Sequence, residues 1–118
     1  MTLKTVEKNV LVLHSAEQMF DLVNTVEDYP RFLPWCARTE VLRREGDVLE
    51  AMLHMDYMKV RQSLGTRNHN RPPYEIRMDL LNGPFKSLSG TWRFTPLGDL
   101  GCKIEFRLEY EFASSMLS

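Results

Sequence analysis

Catalysis or metal binding in this 118-residue chain would have to be built from three histidines, two cysteines and a few strand carboxylates. General acid–base work needs two titratable groups within hydrogen-bond reach of one reacting atom. A zinc centre needs nitrogen or sulfur ligands at short, regular spacings. His14, His54 and His69 fall at a helix start, in a strand and in a polar loop, and no ligand spacing connects them. Each reads as a solvated or hydrogen-bonded surface histidine. His54 and Asp56 share one face of a strand, but it is the face opposite Leu53 and Met55, so this acid–base candidate looks outward. Cys36 and Cys102 lie far apart and read as free thiols in a reducing compartment. Glu105, Glu109 and Glu111 alternate with apolar residues as a solvated strand face, and Gly83, Gly98 and Gly101 are turn residues with no phosphate-binding pattern. No catalytic residue, metal ligand or cofactor is assigned, and the chain reads as a binding protein.

The elements behind these residues are mostly strands. Lys103 to Phe112 reads K-I-E-F-R-L-E-Y-E-F, charged and apolar in strict alternation. That is a strand with one wet and one buried face, and it places the chain among antiparallel sheets solvated on one side. Its partner upstream sets Leu88, Gly90, Trp92 and Phe94 against Ser87, Ser89, Thr91 and Arg93, joined through Pro96 to Gly101 as a hairpin. Gly90 inside that strand relieves crowding or lets the sheet bend.

From the N-terminus, Thr5 to Leu13 makes a first strand of imperfect alternation. Ser15 and Gln18 then form a capping box for a helix carrying Ala16, Met19, Phe20 and Val23 at helical spacing. A second helical stretch over Val26 to Phe32 is interrupted by Pro30. Further strands follow: Thr39 to Glu45, Leu49 to Tyr57, Val60 to Asn68 and Tyr74 to Leu80, with turns at Gly46-Asp47, Asn70 to Pro73 and Asn82 to Pro84. The total is one strand, two short helices and about six more antiparallel strands in a single domain, 1–118. Fifteen basic against sixteen acidic residues give a net charge of -1, which offers no bulk attraction for nucleic acid or an anionic membrane. No apolar run has signal-peptide or membrane-spanning length, so a cytoplasmic location is expected. Seven methionines suit an adaptable apolar interior.

This element order resembles the START-related helix-grip fold, an α+β architecture in which a curved sheet wraps a long C-terminal helix around an apolar cavity. Val26 to Cys36, V-E-D-Y-P-R-F-L-P-W-C, and Asn82 to Phe94, N-G-P-F-K-S-L-S-G-T-W-R-F, resemble the coenzyme Q-binding branch of the polyketide cyclase/dehydrase superfamily, whose bacterial members include ribosome association toxins. Ser15 to Met19 and Cys102 to Phe106 are similar to the bacterial members as well. The resemblance implies a non-enzymatic module holding ubiquinone or a similar apolar lipid in support of respiration. Alternatively it implies a toxin of a toxin–antitoxin pair that binds the large ribosomal subunit and blocks subunit association. A cyclase- or aromatase-like enzyme is the remaining alternative.

Three sets of residues follow as expectations. Leu53, Met55, Leu64, Ile76, Met78, Leu88, Trp92, Phe94, Phe106, Leu108 and Tyr110 converge on one side of the sheet as the ligand cavity. Tyr29, Pro30, Phe32, Leu33, Pro34 and Trp35 are expected to form a rigid aromatic loop at the cavity mouth, placed to gate entry or to make peripheral contact with the inner membrane. Arg61, Arg67 and Arg71 give a strand and its following loop positive charge for ribosome contact. The family's closing helix should follow Phe112, yet only Ala113 to Ser118 remain, so the helix is expected to be largely missing after about residue 113, leaving the face to another molecule or a second copy.

Overall fold

The computed structural model describes residues 3–113. Seven strands form one antiparallel sheet in the order β1-β7-β6-β5-β4-β3-β2. They are β1 (Lys4–Val12), β2 (Cys36–Glu45), β3 (Val48–Tyr57), β4 (Val60–Arg71), β5 (Glu75–Asn82), β6 (Phe85–Leu97) and β7 (Gly101–Phe112). Between β1 and β2 run helix α1 (Ala16–Asn24), a 3-10 turn (Val26–Asp28) and helix α2 (Tyr29–Phe32). The α+β helix-grip reading holds for these elements. The expected first turn of a closing helix falls on residues 114–118, outside the described residues.

Alternation and register agree. Gly90 pairs with Leu108, Trp92 with Phe106 and Phe94 with Ile104, so the apolar sets of β6 and β7 share one face. Ile76 lies opposite Trp92 and Met78 opposite Gly90, which extends that face onto β5. Register shifts within β2, at Gly65/Thr66 of β4 and at Phe85/Ser87 of β6 place bulges that curve the sheet around its apolar side.

Helix α1 begins as the capping box requires. The Gln18 amide donates to Ser15 Oγ at 3.1 Å, and the Ser15 amide donates to Gln18 Oε1 at 2.9 Å, together stabilising the first turn by about 1 kcal/mol. Its apolar face lies against one end of the sheet, where Ala16 and Phe20 pack with Ile76, Phe94, Cys102 and Ile104. A second, smaller cluster joins Val26 to Leu49 and Ala51, with Tyr29 and Val41 packed beside it. Pro30 does not break a helix here. The 3-10 turn ends at Asp28 and Pro30 sits in the first turn of α2, where a missing N–H costs nothing.

The inner face is crowded at Gly90. A Cβ built there would lie 2.8 Å from Met78 Cε, 3.0 Å from the Arg107 carbonyl oxygen and 3.1 Å from Leu108 Cδ1. Glycine is therefore what lets β5, β6 and β7 stay in register beneath those side chains.

Candidate functional site

All eleven residues expected to line the cavity share the inner face of the sheet. Leu53 lies opposite Leu64, Met55 opposite Gln62, and Leu88 opposite Tyr110, continuing the rows already described on β5, β6 and β7. The face has two regions. Ile76 and Phe94, each 1% exposed, are enclosed beneath α1 and belong to the core, unavailable to a ligand. Leu53, Met55, Leu64, Met78, Trp92, Phe106, Leu108 and Tyr110 are only partly buried and form the open region, while Leu88, 7% exposed, is buried outside the α1 cluster. Its aromatic groups contact one another, with Trp92 and Phe106 ring centroids 4.5 Å apart and Phe85 edge-on to Tyr110 at 5.8 Å.

Polar side chains on the same face have no sequence signal. β4 presents Thr66, Asn68 and Asn70 in succession, with Asn68 opposite Met78 on β5 and Leu49 on β3. Asn70 Nδ2 donates to Asn24 Oδ1 at 3.0 Å, tying β4 to the end of α1. Asn68 Oδ1 and Asn70 Oδ1 are buried without a hydrogen-bond partner among the described residues, so both can accept from a donor placed on this face. At β1, Lys4 and Lys8 pair with Tyr110 and Phe106 and so hold inner-face positions at the sheet edge. The Lys4 ammonium lies 5.6 Å from the Phe112 ring centroid, a cation–π contact at that rim.

The stretch expected as an aromatic loop is helix α2 at Tyr29, Pro30 and Phe32 and irregular only from Leu33 to Trp35, and it is ordered by its own contacts. The Tyr29 hydroxyl donates to the Val23 carbonyl, Tyr29 and Phe32 meet edge to face at 6.0 Å, and the Trp35 carbonyl accepts from the Asp56 amide at 3.0 Å. Burial pushes the Tyr29 phenol up to about 12. Phe32, Pro30 and Pro34 are exposed, whereas Leu33 and Trp35 are partly covered.

His54 and Asp56 do not pair. His54 Nδ1 is 2.7 Å from Ser63 Oγ and its Nε2 is 2.6 Å from Glu40 Oε1, both on neighbouring strands of the outer face, while Asp56 faces Arg61 at 3.5 Å. The His54 hydrogen bond, reinforced by Arg38, holds the Glu40 carboxyl below the usual range. A cross-strand register, invisible in the sequence, decides both partners.

The arginines considered for ribosome contact are each beside a carboxylate: Arg61 by Asp56, Arg67 Nε 2.6 Å from Glu50, and Arg71 Nε 4.0 Å from Glu75. The second basic cluster is likewise matched, with Arg38 against Glu40, Arg43 against Glu45 and Arg44 against Glu27. The arginine side of each pair is exposed, and surface pairs of this kind are worth at most about 1 kcal/mol each, so a polyanion can still compete for the arginines. Cys36 and Cys102 are free and buried, and burial raises both thiols. No group of three or more possible metal ligands gathers among the described residues, and no described helix is long and apolar enough to cross a membrane.

A curved antiparallel sheet with two short helices across one end and an open apolar face is a START-type binding scaffold. Residues 12–118 match the family model described as polyketide cyclase/dehydrase and lipid transport, and the chain belongs to that family. It is 44% identical over 115 residues to the ribosome association toxin RatA of Vibrio cholerae, covering 98% of this chain and 80% of the relative. It is 33% identical over 109 residues to the coenzyme Q-binding protein COQ10 homolog B of Xenopus laevis, covering 88% of this chain and 44% of that one. Among solved structures it resembles the Zhui aromatase/cyclase from a Streptomyces species at a TM-score of 0.87 and 20% identity, over 97% of this chain and 71% of the other. A START superfamily protein from Mycobacterium smegmatis superposes with a TM-score of 0.83 at 23% identity, over 94% and 79% of the two chains. At those identities the structural likeness speaks for the fold alone.

Proposed function

We propose that this chain is a non-enzymatic START-type binding protein whose partner is the large ribosomal subunit, and that it acts by blocking subunit association. The 44% identity to a ribosome association toxin across nearly the whole chain carries this reading. The outer-face chemistry supports a binding role, because its candidate acid–base groups are tied up in cross-strand pairs. The test is sedimentation of the protein with purified large subunits over a salt series. Binding that weakens with rising salt is expected, and neutralising Arg61, Arg67 and Arg71 together should flatten that dependence. Absence of the protein from the large-subunit fractions at every salt concentration would reject the reading.

A second reading concerns the inner face, which supports apolar-ligand binding by its open array of partly buried aromatic and aliphatic side chains. The likeness to a coenzyme Q-binding protein makes an isoprenoid quinone the ligand of choice. Its hydrocarbon would lie along Trp92, Phe106 and Leu108, with Asn68 available to a polar head group. Organic extraction and mass spectrometry of the purified protein should recover the lipid, and Leu108→Arg should lose it while remaining folded. Retention by the folded variant would place the ligand elsewhere.

A further inference from the structure

The end of the sheet farthest from residue 113 carries a cleft that neither reading uses. It has a volume of about 550 Å3 and lies between the start of α1 and the β6–β7 turn, with Leu13, Tyr74, Pro96 and Leu100 supplying apolar walls and Glu17 and Asp99 supplying charge. Leu13 is 85% exposed, Leu100 79% and Tyr74 53%, and Leu11 and Leu97 stand exposed on the adjoining strand ends. Apolar side chains so exposed and so concentrated mark an interaction surface on a folded domain.

The electrostatics choose the partner. The ionisable side chains of the lining are Glu17, Asp99, His14 and Tyr74, with no lysine or arginine among them. Neither Glu17 nor Asp99 enters an ion pair among the described residues, although most carboxylates on the outer sheet face do. At the start of α1 the capping box meets the Gln18 amide, and the Glu17 and Asp99 carboxylates set the sign of the cleft's charge. Gly101 lets β7 start this close to β1, because a Cβ there would run into the Val12 carbonyl.

We propose that this cleft docks a segment of a partner protein in which basic side chains alternate with apolar ones, the leucines and Tyr74 taking the apolar groups and Glu17 and Asp99 the cations. Other occupants fit less well. A second copy meeting the first symmetrically through this end would set these carboxylates against their own duplicates. An anionic lipid surface would be repelled by the same two charges.

The probe is a short synthetic peptide alternating leucine and lysine, titrated into the isotopically labelled protein and followed by amide chemical shifts. A leucine–glutamate peptide and phosphatidylcholine vesicles serve as comparisons. The leucine–lysine peptide should perturb residues 13–18 and 97–101. Glu17→Lys with Asp99→Lys should weaken it by about tenfold, or ~1.4 kcal/mol. Leu13→Ser with Leu100→Ser should weaken it to a similar degree, and all four positions are on the surface, so the fold persists. Perturbation centred elsewhere, equal binding of the glutamate peptide, unchanged affinity in either variant, or binding of vesicles in preference to peptide would each overturn the proposal.

Discussion

Replacing Phe94 by alanine separates the closed region of the inner face from the open one. Phe94 is 1% exposed, meets Phe20 of α1 edge to face at 5.8 Å and stacks on Trp92 at 6.2 Å. Removing the ring forfeits its burial and leaves a void between helix and sheet that rigid neighbours cannot refill, a cost of about 3–5 kcal/mol. Against a total stability of roughly 5–15 kcal/mol for a domain of this kind, that is a large share. With the slope usual for small proteins, the urea midpoint should fall by roughly 2 M, read from Trp92-sensitive fluorescence and far-UV circular dichroism. Phe106→Ala is the internal comparison, since Phe106 faces the same way but is only partly buried and touches Trp92 in the open region. Its cost should be about 1–2 kcal/mol, set by partial burial alone. If Phe106→Ala proves as damaging as Phe94→Ala, the inner face is uniformly enclosed and its division into core and ligand surface is mistaken.

Two further perturbations test the sheet. Gly90→Val should destabilise by about 1–3 kcal/mol, because the new side chain meets the Arg107 backbone carbonyl as well as Met78, and Met78→Ala should recover only part of the loss in thermal unfolding. The Glu40 carboxyl is held below its ordinary 4.5 chiefly by His54, so its contribution to stability is present above that value and is lost as pH falls through the lower folded value. Glu40→Gln should accordingly flatten the decline of the melting temperature as pH falls below the ordinary 4.5, and an unchanged profile would show that the His54 contact does not favour the folded state.

The sequence is most legible where one periodicity acts alone. β7 alternates without exception, and its inner and outer sets are those of the structure. The capping box at Ser15 is equally local and equally clear. β1 is harder to read because Lys4 and Lys8 take inner-face positions at a sheet edge, where their long stems can reach solvent. The polar row Thr66, Asn68 and Asn70 carries no apolar signal, and only pairing with Leu49 and Met78 reveals that it faces inward. The partners of His54 and of the β4 arginines depend on strand register, which spacing along a single strand does not encode. Phe94 and Phe106 look equivalent by alternation, and the helix lying over one and not the other makes the difference.

Strand order also has a consequence for synthesis. β2 to β7 each pair with the strand just before or after them in the chain, so hairpins can form as they emerge. β1 pairs only with β7, whose partner residues lie about a hundred positions later. At translation speeds of about 5–20 residues per second, β1 waits on the order of ten seconds for its mate while the hairpins between them assemble. Docking of β1 on β7 is thus the last of these strand pairings to form, and until then the nascent chain presents both an unpaired β1 and the bare edge of β6 or β7 to its surroundings.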